Sequence, residues 1–133
     1  WQIIGRDPLT ICDTGHNLEG LRYVIEQIRK IKKGETHFVI GFVSDKDLDP
    51  VLPLFPAGAR YYFTKASVPR ALDEKILQDK ALKHGLMGES FGDVASAIKS
   101  ARENSSRSDL IFIGGSTFIV ADALACTAPY HLL

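Results

Sequence analysis

The chain is poor in the residues from which many specialised sites are built. It has two cysteines, Cys12 and Cys126, too few for a disulfide framework or a thiolate-rich metal centre. Cys12 lies in an apolar run, where an unpaired cysteine acts as a small inert hydrophobe. A reducing, cytoplasmic setting is the expectation. Charge of one sign is missing as well: 16 Lys+Arg balance 16 Asp+Glu, which argues against a dedicated nucleic-acid binder with its basic face. The one basic cluster, Arg29, Lys30, Lys32 and Lys33, reads as the solvated end of a helix, where cations complement the dipole. No apolar stretch reaches the roughly 18 residues of a membrane span, and no leader pattern opens the chain. Neither a membrane nor secretion is expected. Asn104-Ser105-Ser106 fits the glycosylation sequon but means little without a leader. Two phosphate-binding signatures are absent: Gly-x-x-x-x-Gly-Lys-Ser/Thr, and Gly-x-Gly-x-x-Gly after the first parallel strand. Any main grip on a triphosphate is expected elsewhere. No cluster of Cys and His suggests a metal, and none is assigned. Methionine occurs once, at Met87, and the first residue is Trp1; the reading is of a domain cut from a longer protein, its site completed outside this chain.

What is present fits one domain. The 133 residues, 45% of them hydrophobic, suffice to bury roughly two-thirds of the unfolded surface. Trp1 to Ile4 and Leu9 to Cys12 are short apolar runs about a Gly5-Arg6-Asp7-Pro8 turn, which predicts an antiparallel hairpin. Leu21, Val24, Ile25, Ile28 and Ile31 recur at helical spacing, with Gly34 as the expected C-terminal cap. Phe38 to Ile40, Arg60 to Thr64 and Leu110 to Ile113 read as buried strands, and Leu86 to Ser90 as a weak edge strand. A short helix is expected over Leu48 to Phe55. Another is expected over Asp73 to His84, with Ile76, Leu77, Ala81 and Leu82 inward. A third is marked by Val94, Ala97, Ile98 and Ala101, and a last one runs from Thr117 to Leu124. Residues 125–133, with Pro129 and no period, are expected to form a disordered tail. Alternating strands and helices imply a Rossmann-like three-layer α/β/α fold. Its sheet would have about six strands, mostly parallel, with one antiparallel edge strand at the N-terminus.

The most informative stretch is Asp13-Thr14-Gly15-His16-Asn17, between a strand and a helix. The carboxyl ends of strands in open α/β sheets are where ligands bind, beside unpaired helix-terminal N–H groups. Three more loops share that rim: Gly41 to Asp47, Lys65 to Arg70, and Gly114-Gly115-Ser116, whose small residues let an anion approach the backbone. The carboxylates can hold a ribose hydroxyl or a metal-bound water, and Lys or Arg can hold phosphate or carboxylate. Each loop has a plainer reading: Asp13 as a helix cap, Asp45 and Asp47 as the start of the next helix, Lys65 and Arg70 as surface charges, Gly114-Gly115 as a tight turn. His84 reads as a helix-end cation; His37 and His131 are given no role.

These residues resemble the C-terminal domain of folylpolyglutamate synthases and dihydrofolate synthases, in the Mur ligase superfamily, from Trp1 to about Leu124. The family's Asp-x-Ala-His-Asn turn is matched by residues 13–17, with Gly15 for the usual Ala, a change not expected to harm the turn. Trp1-Gln2, Gly41 through Asp45-Lys46-Asp47, the Ser67/Pro69/Arg70/Ala71 loop and Gly115-Ser116 follow in order. The resemblance implies an ATP-dependent, ADP-forming ligase that adds L-glutamate to a folate or dihydropteroate carboxylate through an acyl phosphate. ATP and Mg²⁺ would be bound mainly by an N-terminal domain absent from this chain. Asp13 would contact ATP. His16, as the catalytic residue, and Ser116 would position glutamate. Asn17, Lys46, Ser67 and Arg70 are candidate rim contacts. A monomer is implied, inactive without its N-terminal domain. The alternatives are a noncatalytic α/β ligand-binding or regulatory module, or a ligase domain acting on a peptidoglycan precursor.

Overall fold

Strand alternation decides the architecture. Ile11, Phe38, Ile40, Tyr61, Phe63, Leu110 and Phe112 pack in one cluster, while Cys12, Val39, Tyr62, Ile111 and Ile113 pack in another. Successive side chains on a strand point to opposite faces, so both faces of the sheet are apolar and both must be covered. A computed structural model of the chain describes residues 1–15 and 17–131. It contains strands β1 (Gln2–Gly5), β2 (Leu9–Asp13), β3 (Thr36–Ile40), β4 (Arg60–Phe63), β5 (Gly88–Ser90) and β6 (Leu110–Gly114). The helices are α1 (Leu18–Ile31), α2 (Glu74–Leu82), α3 (Val94–Asn104) and α4 (Thr117–His131). The sheet order is β1-β2-β6-β3-β4-β5. β1 is antiparallel to β2 and every other pairing is parallel, the predicted arrangement.

Helices α1 and α2 cover the first face, and α3 and α4 the second. The first layer is built on aromatics. Phe38 stacks on Tyr61 with centroids 5.2 Å apart and meets Phe55 edge-on at 5.4 Å, geometries that add to plain area burial. The second layer is mainly aliphatic around Tyr62, with Ala97, Ala101 and Ala123 fully buried and letting α3 and α4 approach the sheet.

Several boundaries differ from expectation. α1 ends at Ile31 with Lys32 as its cap. Gly34 is not a cap: it lies in the turn into β3, where an added Cβ would come 2.4 Å from Asp109 Oδ1. Close approach, not helix termination, requires glycine there. The expected Leu48–Phe55 helix is a single 3₁₀ turn, Leu52–Leu54, with Pro53 inside it. On α2 only Leu77 and Ala81 are buried; Ile76 and Leu82 are exposed. α4 does not stop at Leu124 but continues to His131, so the expected tail is helical up to that residue. Thr127 is buried, and its hydroxyl donates to the Ala123 carbonyl at 2.7 Å. Alanine-rich sequence favours helix without any apolar period to reveal it. No helix among the described residues is long and apolar enough to cross a membrane.

Candidate functional site

β6 enters the sheet last and between β2 and β3. Asp13 pairs with Gly114, and Ile40 pairs with the same Gly114. The loops after β2, β6 and β3 therefore leave the sheet side by side, and the loop after β4 is next in line. The crossover that seats β6 creates a switch point, where α/β sheets open a crevice at their carboxyl edge.

The backbone is crowded at this edge. Gly41 N–H donates to the Gly114 carbonyl at 3.3 Å. Gly115 has φ +104°, and a Cβ there would fall 2.4 Å from the Gly41 carbonyl oxygen. Positive φ and backbone contact together admit only glycine. Gly115→Ala is expected to destabilise the domain by about 1–3 kcal/mol and to shift the start of α4. Urea unfolding reads the first effect, and the amide resonance of Ile119 reads the second.

Asp13 closes β2. Its Oδ1 accepts the Gly15 N–H at 2.6 Å. A Cβ on residue 15 would come 2.7 Å from that Oδ1. With Ala there, the carboxylate would have to turn away, so glycine at 15 bears on how Asp13 is held. Asp13 is not the helix cap. Asn17 is, accepting the Gly20 N–H at 2.7 Å through Oδ1, as expected of Asn at an N-cap. His16 lies outside the described residues. Ser116 is buried, and its Oγ accepts the Ile119 N–H at 3.2 Å. This capping leaves the hydroxyl hydrogen free to donate, at a helix N-terminus that favours anions.

The other two loops are tied to each other. Val43 bridges Ala71, Ser44 N–H donates to the Arg70 carbonyl at 2.7 Å, and the Arg70 guanidinium faces Asp45 at 3.4 Å. Asp45 thus pairs with a rim cation and starts no helix. Asp47 accepts the Asp49 N–H at 3.1 Å. Ser67 gives both its N–H and its hydroxyl to Asp122 on α4, at 2.7 and 3.0 Å. Asp122 was not suggested by the sequence; it has no local motif and matters only because α4 lies against this loop. Lys46 sits in the β3 loop. The rim thus groups Asp13 and Ser116 on neighbouring strands, with Lys46, Ser67 and Arg70 on the next two loops.

A second polar cluster lies at the opposite end of the sheet, where the sequence suggested nothing. His37, given no role on sequence grounds, is fully buried on β3. Its Nε2 contacts Asp109 Oδ2 at 2.9 Å and its Nδ1 contacts the Tyr62 hydroxyl at 2.8 Å. Asp109 also accepts the Glu35 N–H, the Ser106 N–H and the Ser106 hydroxyl, each at 3.0 Å. Burial alone would raise the Asp109 pKa. The bonds from His37, Ser106 and Glu35 outweigh it and hold the carboxyl down at about 2. Among the described residues, Glu35, His37 and Asp109 form a group close enough to converge on a metal. Both His37 nitrogens and both Asp109 oxygens are already bonded, so the group reads as a closed structural network. Cys12 is likewise inert, burial pushing its thiol up to about 12.

The chain resembles known proteins over nearly its whole length. It is 28% identical over 126 residues to the Escherichia coli dihydrofolate synthase/folylpolyglutamate synthase, covering 93% of this chain and 29% of that protein. It is 27% identical over 124 residues to a probable bifunctional folylpolyglutamate synthase/dihydropteroate synthase of Haloferax volcanii, covering 92% of this chain and 15% of that protein. The chain therefore spans less than a third of either relative. A crystal structure of the Yersinia pestis bifunctional folylpolyglutamate synthase/dihydrofolate synthase, complexed with AMPPNP and Mn ion, superposes with a TM-score of 0.83 at 25% identity. That match covers 96% of this chain and 30% of the other. The family model described as "Mur ligase, glutamate ligase domain" matches residues 1–117. With its sheet order, its glycine-lined switch point and its Asp13 and Ser116 rim in place, the chain belongs to the glutamate ligase domain family of the Mur ligases.

Proposed function

We propose that this chain is the glutamate ligase domain of a folylpolyglutamate synthase/dihydrofolate synthase. The parent protein would join L-glutamate to a folate or dihydropteroate carboxylate, with ATP cleaved to ADP and phosphate through an acyl phosphate. The observation that carries the reading is the family match over residues 1–117, with Asp13 and Ser116 delivered to one rim by adjacent strands.

In this reading the chain positions and shields. Ser116 and the α4 N-terminus receive a carboxylate of the incoming glutamate, and His16 orients its amine. Asp13, held by Gly15 N–H, meets the nucleoside part of ATP. Asn17, Lys46, Ser67 and Arg70 line the approach. An activated acyl group survives only away from water, and an amine attacks it only when held in line. A second domain closing on the first provides both. The chain carries neither of the two phosphate-binding signatures, so Mg²⁺ and the ATP phosphates are assigned mainly to the companion N-terminal domain. A monomeric enzyme in the cytoplasm goes with this reading.

The test is a ligase assay on the full-length parent protein. Dihydropteroate and tetrahydrofolate are supplied separately with ATP, magnesium and glutamate. Glutamate-dependent ADP release is expected with at least one pterin, and no turnover is expected from the 133-residue chain alone. Absence of release with either pterin removes the folate assignment. Turnover by the isolated chain removes the division of labour between domains.

A further inference from the structure

Away from the rim, at the amino ends of β2 and β6, lies an open depression of about 420 Å³ lined by Arg6, Lys32, Lys33 and Arg107. Three separate parts of the chain supply these cations: the β1–β2 turn, the end of α1, and the turn before β6. The parallel register that pairs Leu9 with Leu110 brings the first and third together. Compensation of a helix dipole accounts for basic residues at the end of α1, but not for Arg6 or Arg107. The salt bridges among described residues involve none of the four cations. Two carboxylates also border the depression. That of Asp109 is occupied by His37, Ser106 and Glu35, which leaves Asp7 as the single exposed counter-charge. The chain as a whole is neutral, so this concentration of unpaired positive charge is local. Leu9, Ile31 and Leu110 add apolar surface to the lining of the depression.

We propose that this depression binds a small phosphorylated molecule of about mononucleotide size. Two guanidinium groups match phosphate oxygens in pairs, and two ammonium groups add point charges. The volume suits a small ligand, and the apolar part of the lining can contact an uncharged body. A phosphate ligand is favoured over a carboxylate one because its larger charge and third oxygen can engage several of the four cations at once.

The experiment is a site-resolved NMR titration of the chain, first with inorganic tripolyphosphate and then with ADP. Saturable shifts are expected at Arg6, Asp7, Lys32, Lys33, Arg107 and Ser108, with ADP also moving Leu9 and Leu110. Shifts at Asp13 and Ser116 would report the rim and are scored separately, so this site stands or falls apart from the ligase assignment. Arg6→Gln with Arg107→Gln should weaken tripolyphosphate binding about tenfold or more. Lys80→Gln with Lys99→Gln removes the same charge from exposed positions elsewhere and should leave binding unchanged. Higher salt should weaken binding further. All four substitutions are on the surface, and retained spectral dispersion shows that the fold persists. No shift around the depression, or equal weakening in both double variants, overturns the proposal. Tighter binding of a tetra-aspartate peptide than of tripolyphosphate overturns the phosphate assignment.

Discussion

Asp109→Ala is expected to lower the unfolding free energy by about 3–5 kcal/mol, the cost of removing one partner from a buried charged network. The variant strands the Glu35 N–H, the Ser106 N–H and hydroxyl, and a nitrogen of the fully buried His37. The His37 nitrogen, fully buried, is then desolvated without a partner, while Glu35 and Ser106 are exposed and their freed groups turn to water. For a domain of this size the melting temperature should fall by roughly 10–20 °C. Tyr62→Phe removes the hydroxyl's bond to His37 Nδ1 and its hydrogen bond with Asn104 and should cost about 1 kcal/mol.

The same network gives a signed pH dependence. The Asp109 carboxyl is held at about 2 in the folded chain, below its ordinary 3.8. A depressed carboxylate contributes stability that is fully present above the unfolded value and lost as pH falls through the folded one. The window is therefore about pH 4 to pH 2, and the amount at stake is about 2 kcal/mol. Urea midpoints across that window should fall more steeply for the natural chain than for Asp109→Asn. Parallel curves would remove the Asp109 carboxylate from the account.

Asp13→Ala combined with His16→Ala, in the full-length parent, is expected to reduce kcat/KM for glutamate-dependent ADP release by roughly 100-fold or more. Losing the alignment of an attacking amine costs about that much. The fold should survive, because Asp13 ends a strand at the rim, outside the two core clusters; circular dichroism verifies this. The single variants separate the roles. Asp13→Ala should raise the KM for ATP. Ser116→Ala removes the hydroxyl beside the α4 N-terminus and should raise the KM for glutamate while leaving that for ATP nearly unchanged. It also removes the cap on Ile119 N–H, which should cost about 1 kcal/mol of stability. Unchanged kinetics in all three variants would detach this rim from the reaction.

The rim was legible in the sequence because its parts are local. Asp13 and Asn17 lie in one turn, and Gly114-Gly115-Ser116 is another. Strand-to-helix turns carry their polar residues next to the apolar runs that define them. The partners of those residues were not legible. Asp122 holds Ser67 from 55 residues away, and Asp45 meets Arg70 across 25. No spacing rule links such positions. Asn17 took the capping role that a plain reading gave to Asp13, since only the backbone path decides which of several polar residues reaches the free N–H groups. Exposed Ile76 and Leu82 and the long α4 show the matching limit of periodicity: it tells where an apolar face can lie, not how far the neighbouring layer covers it.

By itself the sequence determined the alternation of strands and helices, the antiparallel first hairpin, the two apolar faces and the four rim loops. All of these follow from residue spacing within single elements. Tertiary structure decided which strand takes the centre, and thereby which loops adjoin. It also buried His37 against Asp109, 72 residues away, and gathered Arg6, Lys32, Lys33 and Arg107 around one depression. The physical reason is common to all three. Long-range pairing satisfies backbone and apolar demands along whole strands, and the polar side chains at the strand ends meet the neighbours that pairing brings to them.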